Sequence, residues 1–172
     1  ISQLKIGKYD EPNVTTGPLI NEAALEKVEK HVQDAINKGA TLEMGGNRID
    51  KYPNGYFYEP TILCGIDSTM DLFYEETFGP VVPIATFTDE DEVIKHANDT
   101  VYGLAAYIFT ESLSKAIQVS EKIESGIVGV NDGLPSIAQA PFGGWKESGI
   151  GKEGGKEGIE EFLETKYISI RM

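Results

Sequence analysis

The sequence predicts an α/β fold built around a parallel sheet. Between residues 81 and 131, three short apolar segments alternate with two segments of helical spacing, and the connections are short. Strands joined through helices in this order pair in parallel by right-handed crossovers. A chain of 172 residues, 40% of them hydrophobic, is also long enough to bury a real core.

The first predicted helix covers residues 21–38. Asn21 can cap its beginning and Gly39 can end it. His31 on this helix and His96 on a later one have charged neighbours, and we expect both at the surface. Five apolar residues fall on one face of the helix: Leu25, Val28, Val32, Ala35 and Ile36.

The next segments read as loop and strand. Residues 41–59, rich in Gly, Asn, Pro and Tyr, predict a loop with a short strand, and residues 60–63 predict a buried strand. Val81–Phe87 predicts another strand, in which Pro83 favours an edge position or a bulge.

Strands and helices then alternate. The predicted elements are a helix over Asp89–Asn98, a strand over Ala105–Phe109, a helix over Ser112–Glu124 and a strand over Ile127–Asn131. Residues 132–158 are too rich in glycine for regular structure. Ile159–Leu163 has helical spacing, and Tyr167–Ile170 alternates like a strand without a partner in the chain, so it could pair with another subunit.

Composition excludes several classes of partner. With 28 acidic and 15 basic residues the net charge is −13, which repels nucleic acid and anionic membranes. No apolar run is long enough to span a bilayer, and no signal peptide is recognisable. The single Cys64 fits a reducing cytoplasm, and one Cys with two unpaired His gives no metal site.

One chemically suggestive segment is Tyr74–Val81, in which two glutamates, an aromatic residue and Gly-Pro directly precede a strand. A carboxylate beside a strand end can accept both hydroxyl hydrogens of a ribose, and an adjacent ring can pack on a heterocycle. The alternative is a solvated acidic turn with Phe78 in the core.

A second such segment is Ala140–Gly155, where glycines permit positive φ angles and close backbone approach. The alternative is a flexible linker. Phe142 and Trp145 are poor linker residues, so we expect this loop to pack against a large surface.

Several motifs in order resemble the aldehyde dehydrogenase superfamily. Residues 75–81 match its Glu-Glu-x-Phe-Gly-Pro-Val element, and residues 141–149 match its Pro-Phe-Gly-Gly-x-Lys-x-Ser-Gly element. Residues 17–20, 56–63 and 98–105 are also similar. Within the superfamily, residues 127–136 and 151–167 are most similar to the succinate-semialdehyde dehydrogenases.

The resemblance implies that this is the C-terminal portion of an NAD- or NADP-dependent enzyme oxidising succinate semialdehyde. Residues 1–147 would complete the catalytic domain, 148–162 would form a glycine-rich loop and helix returning toward the coenzyme domain, and 163–172 would form an oligomerisation strand of a dimer or tetramer. In the family a cysteine thiolate attacks the aldehyde and a glutamate activates water. Both would lie upstream of this chain, which alone would be inactive.

The resemblance also implies roles for individual residues. Glu76 would bind the nicotinamide ribose and Phe78 would pack beside the nicotinamide. Phe142 would line the substrate tunnel, and Ser136 would donate a hydrogen bond to the distal carboxylate of the substrate. Glu153 would help to relay a proton.

Several alternatives remain open. Ser136 is equally compatible with an ordinary loop serine, and Glu153 with a solvated carboxylate at a helix start. Cys64, at the end of a predicted buried strand, is expected to be a structural thiol rather than a nucleophile. The whole protein could instead oxidise another small aldehyde, or this piece could work alone as a binding or oligomerisation module.

Overall fold

The first half of the chain is organised around one amphipathic helix, α1, which spans Glu22–Asn37. The side chain of Asn21 accepts a hydrogen bond from the Ala24 N–H at 2.9 Å, and Gly39 follows the helix with φ of +107°. Both ends of the predicted helix are therefore confirmed. Four of its five predicted apolar residues are fully buried: Leu25, Val28, Val32 and Ala35.

In the computed structural model, which describes residues 1–172, residues 1–86 form one compact unit. Its remaining elements are β1 (Thr41–Met44), β2 (Thr61–Cys64), α2 (Asp71–Tyr74) and β3 (Val81–Ile84). The central strand β2 pairs antiparallel with β1 and parallel with β3. Pro83 lies in β3 at the edge of this sheet, as the sequence predicts. Leu63, Met70 and Leu72 pack with α1 to form the core.

Residues 87–172 form a second compact unit. Its elements are α3 (Glu90–Asn98), β4 (Tyr102–Gly103), β5 (Ala105–Ile108), α4 (Leu113–Lys122), β6 (Ile127–Val130), β7 (Trp145–Lys146) and α5 (Glu157–Glu160). The side chains of Asp89 and Ser112 cap α3 and α4. Strands β5 and β6 pair in parallel around the α4 crossover, and β4 pairs antiparallel with β7.

The α/β class is confirmed, but the strands form three small sheets rather than one parallel sheet. The sequence shows which residues are extended, whereas sheet membership depends on hydrogen bonds between distant segments. Within the chain, the predicted strand Tyr167–Ile170 is neither a helix nor a strand, and its residues are exposed. The C-terminal strand is therefore not confirmed. No helix of the chain has the length and apolar character to cross a membrane.

Candidate functional site

The acidic segment Glu75–Gly79, between α2 and β3, presents two side chains to solvent. Glu76 is exposed, and its carboxylate makes no hydrogen bond or ion pair within the chain. Phe78 is 81% exposed, so the alternative that places it in the core is wrong. Its φ of +50° is a left-handed conformation that costs a non-glycine residue roughly 1–3 kcal/mol. The surrounding structure must stabilise this conformation.

Helix α1 supplies that stabilisation. The Lys27 ammonium donates to the Glu76 carbonyl at 2.6 Å. One turn later, the His31 ring lies 3.1 Å from the Thr77 hydroxyl and 3.2 Å from the Glu75 carboxylate. A Cβ on Gly79 would lie 2.4 Å from the Val28 side chain, so only glycine allows this close contact. These contacts fix the backbone on both sides of Glu76.

The expected surface position of His31 is wrong, because its side chain is 0% exposed. The signal lay in the spacing: His31 follows Val28 by three residues and precedes Ala35 by four, which puts it on the apolar face of α1. His96, by contrast, is exposed as expected.

The backbone before this segment is also held by α1. The Asp34 carboxylate accepts the Asp71 N–H at 2.8 Å, at the start of α2. Lys38 contacts Asp34 at 2.7 Å and Asp71 at 3.2 Å. Hydrogen bonding to Lys38 is the main cause that lowers the pKa of each of these two carboxyls. Both are therefore stabilised in the ionised form, in which they hold α2 against α1.

In the second unit, the glycine-rich loop is folded rather than a flexible linker. Phe142 and Glu153 exchange backbone hydrogen bonds of 2.7 and 2.8 Å. Between them, the Lys152 ammonium donates to the carbonyls of Gly143 and Gly144 at 2.8 and 3.2 Å. The loop is therefore closed by its own backbone and by one lysine, which bonds two successive carbonyls.

The same loop is joined to the strands of its unit. Trp145 pairs with Gly103, and the Ser148 hydroxyl accepts the Gly103 N–H at 3.0 Å. A Cβ on Gly126 would lie 1.9 Å from the Gly143 carbonyl oxygen. The loop therefore packs against the segments around Gly103 and Gly126 of its own unit, in agreement with the expectation that it packs against a surface. The Trp145 side chain itself is half exposed.

The structure brings two of the three predicted site residues of this unit together. Phe142 is half-buried, and Glu153, its backbone partner, has an exposed side chain. Glu153 does not begin a helix, because α5 starts at Glu157, but its exposed side chain agrees with the solvated carboxylate of that alternative. Ser136 is exposed in the loop after β6. Their roles remain predictions.

The preceding turn is fixed by Asn131. Its side-chain oxygen accepts the Thr110 N–H, and its side-chain nitrogen donates to the Thr110 carbonyl, each at 2.9 Å. Asn131 also adopts a φ of +52°, which turns the chain away from β6. The loop that carries Ser136 therefore begins from a fixed point at the end of the β5–β6 sheet.

Cys64 lies in the central strand β2 with a half-buried side chain, and its role as a structural thiol stays a prediction. No group of three or more His, Cys, Asp and Glu side chains in the chain is arranged to hold a metal ion.

Comparison with known proteins assigns the family. The model of the aldehyde dehydrogenase family matches residues 1–168. The chain is 47% identical over 170 residues to a probable succinate-semialdehyde dehydrogenase [NADP(+)] of Sinorhizobium fredii, covering 99% of the chain and 34% of that protein. It is 48% identical over 170 residues to the glutarate-semialdehyde dehydrogenase of Pseudomonas putida, covering 99% and 35%.

Solved structures agree with this assignment. Betaine aldehyde dehydrogenase from Staphylococcus aureus, in complex with NAD+, superposes with a TM-score of 0.89 at 42% identity, covering 97% of this chain and 34% of that one. The chain belongs to the aldehyde dehydrogenase family, and it spans about a third of the length of these relatives. The resemblance expected from residues 75–81 and 141–149 is confirmed.

Proposed function

We propose that this chain is the C-terminal portion of an NAD(P)-dependent dehydrogenase that oxidises succinate semialdehyde to succinate. The observation that carries the proposal is the segment Glu75–Gly79, in which the carboxylate of Glu76 and the ring of Phe78 are both exposed and unpaired. This segment lies in a chain 47% identical to a probable succinate-semialdehyde dehydrogenase [NADP(+)].

The exposed groups of this segment fit a nicotinamide nucleotide. An ionised carboxylate only accepts hydrogen bonds, so Glu76 can receive both hydroxyl hydrogens of a ribose. The Phe78 ring offers an uncovered face to a heterocycle. When bound, NAD(P)+ supplies the hydride acceptor for aldehyde oxidation. Glu76 and Phe78 therefore bind and orient it, and either NAD or NADP satisfies these contacts.

In the second unit, Ser136 and Phe142 bind the substrate. The Ser136 hydroxyl donates to the distal carboxylate, a charge-assisted bond that an uncharged aldehyde cannot form. Phe142 lines the approach of the aliphatic chain. Glu153, with an exposed carboxylate, relays a proton away from the site of water activation.

The nucleophilic cysteine and the general-base glutamate are proposed to lie outside these residues. Cys64, paired on both sides within its sheet, is not the nucleophile. The chain alone is accordingly inactive. Aldehyde-dependent formation of NADH or NADPH by the purified chain would contradict this.

The organisation of the complete protein follows the same proposal. Residues 1–147 complete the catalytic domain, residues 148–162 return toward the coenzyme domain, and residues 163–172 add a strand to a neighbouring subunit. The exposed, unpaired C-terminal residues are compatible with that role. Assembly into a homodimer or homotetramer and a cytoplasmic location stay predictions.

The substrate assignment is tested by kcat/KM of the complete dehydrogenase for succinate semialdehyde and for butanal, which lacks the distal carboxylate. Loss of a charge-assisted bond of about 1.5–3 kcal/mol should disfavour butanal roughly 10- to 150-fold. Ser136→Ala should reduce this preference. Ser114→Ala, at an exposed serine on α4, is the matched control and should preserve it. Equal kcat/KM values for the two aldehydes would show that Ser136 is an ordinary loop serine.

A second candidate substrate is glutarate semialdehyde, one methylene longer, because a relative of 48% identity carries that name. Both substrates have a distal carboxylate, so Ser136 does not separate them. One methylene changes kcat/KM by roughly 10- to 200-fold where the pocket length is fixed. Measuring the ratio of kcat/KM for the two semialdehydes therefore distinguishes the candidates.

A stand-alone binding or oligomerisation module is less favoured. Ile150, Phe162 and Tyr167 are almost fully exposed, and apolar side chains of this size favour association when they are uncovered. Light scattering of the purified chain tests this alternative. A stable, monodisperse species would favour a module, whereas aggregation favours a part of a larger enzyme.

A further inference from the structure

Helix α1 contacts nearly every residue of the segment that carries Glu76. Three residues on one face of the helix make these contacts. Lys27 contacts Glu76 and Val28 lies against Gly79. His31 contacts both Glu75 and Thr77. The Glu76 carboxylate has no hydrogen bond or ion pair in the chain, and Phe78 is 81% exposed. Their directions depend on the backbone, and α1 holds that backbone.

We propose that His31 is a positioning residue, which orients Glu76 and Phe78 toward the nicotinamide nucleotide through its contacts with Glu75 and Thr77. The inference rests on the proposed function of Glu76. It adds a buried residue that never touches the cofactor but determines how well the two exposed groups meet it.

The direction of the two His31 hydrogen bonds depends on the tautomer of the ring, and one neutral tautomer suits both partners. An ionised carboxylate cannot donate, so Nε2 of His31 donates to Glu75. In the neutral ring Nδ1 then accepts the hydroxyl hydrogen of Thr77. The side chains of the two residues that flank Glu76 thereby contact opposite nitrogens of one buried ring.

Burial makes His31 an effective anchor. Its side chain is 0% exposed, so the ring has no alternative rotamer in solvent. The Lys27 bond to the Glu76 carbonyl, at 2.6 Å, acts on the same peptide segment from one turn away. A ring that is held by packing and hydrogen-bonded at both nitrogens restricts the conformations open to residues 75–77. Hydrogen bonds to the residues around a binding site orient the binding groups in the same way in other proteins.

The test uses three substitutions of His31 in the complete dehydrogenase. His31→Leu fills the site but removes both hydrogen bonds. His31→Asn retains a polar group near the Nδ1 position and His31→Gln near the Nε2 position, so these variants separate the Thr77 contact from the Glu75 contact. Val32→Ala, also buried on α1, controls for general destabilisation.

Two measurements on these variants do not depend on turnover. The Kd of NADH and of NADPH is measured by fluorescence titration, and hydrogen exchange of residues 75–79 is measured in the cofactor-free protein. For the nucleotide that binds more tightly, His31→Leu should raise the Kd at least about tenfold, and it should accelerate hydrogen exchange in residues 75–79. His31→Asn or His31→Gln should restore part of the affinity and part of the protection from exchange. Val32→Ala should lower the melting temperature without either change.

Glu76→Gln separates failure of this inference from failure of the proposed function. If Glu76→Gln weakens nucleotide binding but His31→Leu leaves Kd within about twofold, the inference is overturned and the proposed site stands. If Glu76→Gln itself has no effect, the proposed site fails. An equal effect of Val32→Ala on Kd also overturns the inference. Should His31→Leu not fold, Thr77→Val, at a partly exposed residue, carries the test with the same outcomes.

Discussion

Glu76→Gln in the complete dehydrogenase is expected to raise the Kd of NADH and NADPH by about 10- to 150-fold, because a charge-assisted hydrogen bond contributes roughly 1.5–3 kcal/mol. The amide keeps the size of the carboxylate. It replaces one acceptor oxygen with an NH2 group, which faces a ribose hydroxyl as a second donor. Fluorescence titration of the reduced nucleotide measures the change directly.

The matched control for this variant is Glu121→Gln. Glu121 is an exposed glutamate on α4 whose carboxylate makes no hydrogen bond or ion pair in the chain, so the same change of charge occurs away from the site. Its Kd should equal that of the wild-type protein. A Glu76→Gln variant with the affinity of this control would show that Glu76 is the solvated turn carboxylate that the sequence also allowed.

Gly126→Ala is expected to lower the free energy of unfolding by about 3 kcal/mol or more, the upper range for inserting a methyl group where no space exists. The new Cβ would lie 1.9 Å from the Gly143 carbonyl oxygen. That carbonyl belongs to the backbone and accepts the Lys152 ammonium at 2.8 Å, so it cannot move without breaking the glycine-rich loop. Urea unfolding of the complete dehydrogenase measures the loss.

Gly133→Ala provides the comparison. Nothing lies within 4 Å of a Cβ at Gly133, and its φ is not positive. Removing a glycine from an open position stabilises by about 0.4–1 kcal/mol at most, through the unfolded chain. Equal unfolding midpoints for the two variants would contradict the close contact between Gly126 and the glycine-rich loop.

The helices were predictable because their signals are local. Asn21, Asp89 and Ser112 each accept a hydrogen bond from a backbone N–H three residues later, and each stands at the predicted beginning of a helix. A cap and the turn that follows it are set by neighbouring residues. Their bounds therefore agree with the sequence to within two residues.

The candidate site was predictable only in part. Residues 75–81 and 141–149 could be recognised because their order of residue types is specific, and the family match confirms that recognition. The exposure of Phe78 could not be inferred, because a core phenylalanine has the same sequence signature. The charged neighbours of His31 along the chain indicate a surface position, whereas its place on the apolar face of α1 buries it.

The sequence by itself therefore determined the family, the α/β class and the positions of the main helices and strands. Tertiary structure alone decided that the strands form three sheets, that His31 is buried against Glu75 and Thr77, and that Lys152 closes the glycine-rich loop. The physical reason is separation along the chain. Capping and periodicity act within a few residues, whereas the contact of His31 with Thr77 joins residues 46 positions apart and forms only when the whole unit has folded.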